Sequence, residues 1–398
     1  MLGGAEDRNM KEEKSWENSS GDPPCSITLS MKSATAKNQS GYKELLRATS
    51  VKWSWACRHL ISETQKENYY VVPEKPQPRP GDVALVRVEK VGHHGHIETT
   101  SERRLRIYPG DWFTCVFGSR YATDVFEGRV LGLEKLHLLT GGGLVGTVVL
   151  RHRGIGQPTA VSFLGYIADS SGRRVNLIDL HFPPLCSDVS LPDAVLVLGT
   201  SMNAGKTTVA RKIARGLVTQ GVPVGACKLT GSVSPRDLYE LRATGVLHAT
   251  DFSDYGFPST YGTPLPELIG LFDHMANACA RKGAQLVVIE VADGILQPET
   301  KALLESEEIR RRVRGVVLAA ACSESALHAA DVIQRSGFEV WAVSGLITNS
   351  PLFVREFAIR NPLPVAPSCG SGSKLANIIV ERMKVQRTEN WRTAALAC

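Results

Sequence analysis

The run Leu196-Val197-Leu198-Gly199-Thr200-Ser201-Met202-Asn203-Ala204-Gly205-Lys206-Thr207-Thr208 limits what this chain can fold into more than any other segment. Ala194 to Leu198 is continuously apolar, as suits a parallel strand buried on both faces. After the loop, Val209, Ile213 and Leu217 recur every four residues with Ala210, Ala214 and Val218 beside them, which marks one helix face; Gly221 closes it. Strand, glycine-containing loop and helix in that order describe a phosphate-binding loop. Backbone N–H groups wrap the phosphates, a lysine adds positive charge, and the hydroxyl after it ligates magnesium. Gly205, Lys206 and Thr207 are expected in those roles, with Gly199, Thr200, Asn203, Ala204 and Thr208 completing the nucleotide site. The pattern G-x-x-x-x-G-K-[ST] is met with one departure: Thr200 stands at the first glycine position and the glycine lies one step earlier, at Gly199.

From about residue 192, strand and helix signals alternate, which implies a parallel sheet with helices on both faces. Strands are expected at Ala194 to Leu198, Pro223 to Lys228, Leu286 to Glu290, Gly315 to Ala321, Val340 to Ser344 and Pro364 to Ala366. Leu268, Leu271, Phe272, Met275 and Cys279 mark a helix facing the sheet. Ahead of this unit, short runs rich in β-branched and aromatic residues predict strands at Val83 to Val88, Trp112 to Phe117, Val145 to Leu150, Val161 to Ala168 and Val175 to Leu180. The fold class is therefore α/β: a parallel-sheet P-loop NTPase domain over 191–385, preceded by a smaller β-rich barrel or sandwich over 82–190. Residues 1–40 are polar and expected to be disordered, 41–81 form a mixed segment with a Pro-rich lead-in, and 386–398 form a C-terminal tail.

Ligands of open α/β sheets bind beyond the carboxyl ends of the strands, so the polar residues found there are candidates. Lys228 ends one strand and Glu290 another, with Asp293 close behind. Lys206, Lys228 and Glu290 are the expected catalytic residues; Thr207, Glu290 and Asp237 are the expected magnesium side, with Asp293 as a second candidate acid. Ser234-Pro235-Arg236-Asp237 has the spacing of a capping box, which would by itself account for Asp237. The segment Asp251 to Tyr261, with four aromatics besides acids and hydroxyls, suits a substrate-binding loop. His93-His94-Gly95-His96 lacks a neighbouring fourth metal ligand, and Thr140-Gly141-Gly142-Gly143 is a flexible connection; both are better taken as structure. Arg310 to Arg314 suits the last turn of a helix.

Composition narrows the function class. Net charge is +6 with basic and acidic residues interspersed, so no nucleic-acid partner is expected. No apolar run approaches the ~20 residues of a membrane span, the first residues are charged, and cytoplasmic residence is expected. Nine scattered cysteines without C-x-x-C argue against a disulfide framework or zinc ribbon. The sequence leaves a homo-oligomer open.

The loop Gly199-Thr200, four residues, Gly205-Lys206-Thr207 resembles that of dethiobiotin synthetase, in which Gly-Thr also precedes the variable residues. In that family a lysine ends the second strand shortly before Thr-Gly, as Lys228, Thr230 and Gly231 do here, and a later strand ends in a glutamate, as at Glu290. Asp237, Arg242, Ala243 and Gly245 are similar to a segment of the nucleotide-binding protein of molybdopterin guanine dinucleotide synthesis. The smaller unit preceding a Gly-Thr loop resembles D-glutamate N-acetyltransferase-like proteins. All are SIMIBI-class P-loop proteins, and the resemblance covers about 192 to 366. Thr200 replaces the lysine of MinD-like members, which speaks against their nucleotide-sandwich dimers. The resemblance implies an enzyme using ATP, or another nucleotide, and Mg2+ to phosphorylate or ligate a small molecule. The alternatives are a nucleotide-binding accessory protein and an acyltransferase gripping acyl-CoA phosphates.

Overall fold

The computed structural model describes residues 51–60, 69–179, 190–367 and 370–396. The tail expected over 1–40 lies outside them, as do Leu180 and Cys25, Cys186, Cys369 and Cys398.

The first part of the described chain holds β1 (Val51–Lys52), β2 (Tyr70–Val72), β3 (Val83–Lys90), the hairpin β4 (His96–Glu98) and β5 (Arg104–Arg106), β6 (Trp112–Phe117), β7 (Arg120–Tyr121), β8 (Phe126–Arg129), β9 (Leu136–Leu138), β10 (Leu144–Arg151) and β11 (Thr159–Ala168). Pairing runs from β6 to β3, β11, β9 and β10 and returns to β6 through a parallel contact, so five strands form a closed circuit. The period of two in β3 sends Ala84, Val86 and Val88 to the same apolar cluster as Phe113, Cys115, Phe117 and Tyr166. Val83 and Leu85 point the other way, into a cluster shared with the following unit.

Two expectations fail here. The described residues of the strand expected at Val175 to Leu180 do not form one: Leu177–Asp179 is a 3-10 turn, and contact with the sheet is through isolated bridges at Arg174 and Asn176 and the backbone bonds of Val175 to Ile167 and Val83. The strand unit also begins before residue 82, because β1 pairs with β6 and β2 with β11. Short strands of two or three residues carry too little alternation to register as a sequence period.

The second part alternates β12 (Asp193–Gly199), α1 (Lys206–Thr219), β13 (Val224–Lys228), α2 (Pro235–Arg242), β14 (Ala249–Asp251), α3 (Leu265–Ala280), β15 (Leu286–Glu290), α4 (Pro298–Glu305), α5 (Glu307–Arg312), β16 (Val313–Ala319), α6 (Ser323–Arg335), β17 (Val340–Ser344), α7 (Pro351–Arg360) and α8 (Ser373–Leu396). All six strands are parallel, in the order β14-β13-β15-β12-β16-β17. Alternation along β12 builds both layers: Val195 and Val197 pack under Val209, Ile213 and Leu217 of α1, whereas Leu196 and Leu198 share the opposite cluster with Leu271 and Met275 of α3. Pro364 to Ala366 contributes one bridge, Val343 to Val365, rather than a strand. α8 runs across the boundary expected at residue 385. No helix among the described residues is long and apolar enough to cross a membrane.

Candidate functional site

β12 delivers the chain to the loop, and α1 starts at Lys206 with Gly205 as its N-cap in a left-handed conformation, φ 100°. A side chain at Gly205 would be strained there. The first N–H groups of α1 have no intrahelical acceptor and point with the positive end of the helix dipole into the loop's concavity, an anion site by construction. The displaced glycine has a physical cause: a Cβ on Gly199 would lie 2.6 Å from Lys206 Cδ and 2.9 Å from its Nζ. The lysine folds back across Gly199, and its ammonium donates to the Ser201 carbonyl at 2.8 Å. Burial lowers the Lys206 pKa, with the carboxylates of Asp293 and Glu290 opposing that shift.

Parallel register sets the next layer. Glu290 sits level with Val197 on one side and Lys228 on the other, so β12, β13 and β15 present loop, lysine and acid at one edge. Glu290 is 1% exposed; its Oε1 accepts from the Thr207 hydroxyl at 2.8 Å, and its Oε2 is buried with no hydrogen-bond partner. Burial pushes the Glu290 carboxyl up, against the opposing charge of Lys228. Burial also disfavours the Lys228 charge, but Asp237 and Glu290 outweigh it and raise that lysine above its ordinary value. The Lys228 ammonium donates to Asp237 Oδ2, and this contact holds the Asp237 carboxyl low despite its burial. The Thr230 hydroxyl donates to the Ala292 carbonyl at 2.6 Å and accepts from its N–H at 2.8 Å, tying the loops after β13 and β15 together.

These groups line one wall of a cavity of about 750 Å3, within the usual range for small-molecule sites. The structure brings Asn203, Gly205, Lys206, Thr207, Thr208, Lys228, Asp237, Glu290 and Asp293 together there. Gly199, Thr200 and Ala204 support the loop from behind. Gly199 underlies the lysine, Ala204 is fully buried, and the Thr200 backbone is hydrogen-bonded to Ala319 at 3.0 Å. One hydroxyl and one carboxylate with a spare buried oxygen fit a magnesium ion, which takes few protein ligands and fills its shell with phosphate and water. Asp237 is engaged by Lys228 instead, and no group of three or more His, Cys, Asp or Glu residues among the described residues could hold a metal ion.

The opposite wall corrects the sequence expectations. His94 and His96, treated as structural, face the cavity with Arg104 and Arg120, and so does Gly141 of the glycine-rich connection. Nothing in the sequence places these residues near the loop, because only the packing of the β-rich part against the parallel sheet brings them there. Contacts between the parts include Asn203 Nδ2 donating to Asp124 Oδ2 at 2.7 Å and the Tyr261 hydroxyl 3.4 Å from Glu127 Oε1. The Asp251 to Tyr261 segment is not the aromatic-lined loop expected. Phe252, Tyr255 and Phe257 are buried in the core, and of its aromatics Tyr261 alone lines the cavity. Ser234 stands at the N-cap of α2 with Pro235 opening the helix, as expected, but the capping-box bonds are not made: the Ser234 hydroxyl donates to Glu98 Oε2 at 3.4 Å, and Asp237 spends its carboxylate on Lys228.

No family model matches the chain, and no curated protein matches it. Among solved structures, the chain is similar to the signal recognition particle receptor FtsY from Elizabethkingia anophelis, at 18% identity over 51% of this chain and 68% of that one, with a TM-score of 0.34. A signal recognition particle 54 kDa protein from Aeropyrum pernix K1, solved with GDP, shares 17% identity over 55% of each chain at a TM-score of 0.34. The cell division protein ftsY from Thermotoga maritima shares 16% over 51% of this chain and 74% of that one, with a TM-score of 0.31.

Proposed function

We propose that this chain is a magnesium-dependent enzyme that binds a nucleoside triphosphate at Gly199–Thr208 and uses it to phosphorylate or ligate a small molecule held in the facing cavity. The observation that carries this reading is the pairing of Thr207 with Glu290 beside a folded-back Lys206, with one Glu290 oxygen buried and unpartnered. In it, the first-turn N–H groups of α1 hold the phosphates, and Lys206 exchanges the Ser201 carbonyl for a phosphate oxygen. Thr207 and Glu290 would hold magnesium, which supplies charge neutralisation at the phosphates. Lys228, kept charged by Asp237, stands at the level of Glu290 and orients the acceptor toward the loop. Phosphoryl transfer asks mainly for positioning and charge complementarity, and the cavity has room for a triphosphate tail with a second small molecule. The circuit of strands read as a small barrel serves as the second wall, closing the site from the side opposite the parallel sheet.

Turnover separates this reading from its alternatives. Purified protein incubated with ATP or GTP, magnesium and a panel of small carboxylates and amines should release nucleoside diphosphate only in the presence of its acceptor. Tight nucleotide binding without turnover under any acceptor would indicate an accessory protein, and stabilisation by CoA esters alone would indicate acyl transfer.

A further inference from the structure

The cavity's second wall carries a guanidinium that lacks a counter-charge. Arg120, in β7, is partly buried; its Nη1 donates to the Leu139 carbonyl and lies 3.3 Å from His94 Nε2. Among the described residues no carboxylate forms an ion pair with it, and Asp293 acts on it only at longer range. The other cations of the cavity are accounted for: Lys228 and Arg236 are ion-paired, Lys206 belongs to the loop, and Arg104 is exposed. Desolvation lowers the Arg120 pKa to about 10, so the group stays charged at neutral pH without the solvation or ion pair that normally offsets burial. Burial, with the neighbouring positive charge of Arg120, drives His94 down to about 3, so its ring is neutral and acts as an acceptor that aims the guanidinium. Nη2 and Nε remain for a ligand, in the planar fork geometry that matches a carboxylate or phosphate.

We propose that Arg120, presented by His94 and the Leu139 carbonyl, forms a second oxyanion site facing the phosphate loop. Its ligand is either the terminal phosphate of the bound nucleotide or an acid group of the small molecule. The site lies in the same cavity and rests on the reading of the loop as a nucleotide site, so the test must let the two fail separately.

Two binding arms and one structural arm do this, using the full chain with Arg120→Gln and Arg120→Lys. In the first arm, affinities for ADP and for a β,γ-imido triphosphate are measured with magnesium. If the ligand is the terminal phosphate, Arg120→Gln weakens the triphosphate by about tenfold or more, leaves the diphosphate nearly unchanged, and Arg120→Lys recovers part of the loss. In the second arm, inorganic phosphate and succinate are titrated into Lys206→Ala protein with and without Arg120→Gln. If the ligand is the acceptor's acid group, Arg120→Gln weakens one of these anions by about tenfold on that background. Unchanged affinities in both arms would overturn the proposal. Should the Arg120 variants not fold, wild-type crystals soaked in tungstate decide the matter: anomalous density at the Arg120 guanidinium supports it, and density confined to the 205–208 loop overturns it. Anion binding that depends on Arg120 in a protein that binds no nucleotide would overturn the loop reading and leave this one standing.

Discussion

The Thr207 hydroxyl donates to Glu290 Oε1 at 2.8 Å, joining the first turn of α1 to the end of β15 across 83 residues of sequence. The contact holds two groups suited to magnesium side by side and leaves Glu290 Oε2 buried without a partner. A carboxylate desolvated in this way is costly to the fold unless a ligand uses it, which argues for a binding role over a structural one.

Glu290→Gln should separate those two roles. Because burial raises the Glu290 pKa, the folded chain holds that proton more tightly than the unfolded chain does. Its contribution to stability is full below the ordinary carboxylate range and is lost as pH rises through the raised value. The melting temperature of Glu290→Gln relative to wild type should therefore climb as pH rises above the ordinary carboxylate range. Magnesium-dependent nucleotide affinity should fall by about tenfold at the same time. A pH-independent difference in melting, or intact magnesium dependence, would count against the role assigned to Glu290.

Gly199→Ala and Gly205→Ala should behave differently. At Gly199 the three atoms nearest the new methyl, at 2.6–2.9 Å, all belong to the Lys206 side chain, so the lysine should be displaced and nucleotide binding weakened more than folding is. At Gly205 the backbone itself, at φ 100°, opposes a side chain, and stability should drop by about 1–2 kcal/mol. Denaturant melts together with nucleotide titrations check both.

The Lys228 and Asp237 side chains are 12% and 22% exposed, so removing one partner strands the other. Lys228→Met should destabilise the chain by about 3 kcal/mol, and the double variant with Asp237→Leu should recover much of that. Neither should restore turnover if Lys228 positions the acceptor. A double-mutant cycle on urea midpoints tests the pair.

Phe252→Ala should cost about 3–5 kcal/mol, as expected of a core aromatic, without changing which small molecules are bound. Tyr261→Phe should leave stability within about 0.5 kcal/mol. Any change in acceptor selectivity should appear at Tyr261, which lines the cavity, rather than at Phe252. A shift in selectivity with Phe252→Ala would return the substrate role to that buried ring.

Much of the phosphate-loop half was legible because its signals are local. A continuous apolar strand, the spacing of Val209, Ile213 and Leu217, and the polar residues that end β13 and β15 are properties of neighbouring residues, and the register then sets Lys228 beside Glu290. Asp237 illustrates where local reasoning stops. Ser234-Pro235-Arg236-Asp237 has capping-box spacing, yet Ser234 and Asp237 are drawn to Glu98 and Lys228, partners remote in sequence or on another element. The aromatics of 252–257 carried a loop-like composition and were claimed by the core, since burial of three rings outweighs any local preference. The second wall, with His94 and Arg120, depends wholly on how the β-rich part packs on the sheet, and no period or motif encodes that.

The most direct measurement is a calorimetric titration of nucleoside triphosphate, with and without magnesium, into wild-type protein and Lys206→Ala. Wild type should bind one triphosphate per chain, more tightly with magnesium, and Lys206→Ala should weaken that binding by about tenfold or more. Equal binding by the two proteins, or none by wild type at any magnesium concentration, would contradict a nucleotide site at Gly199–Thr208.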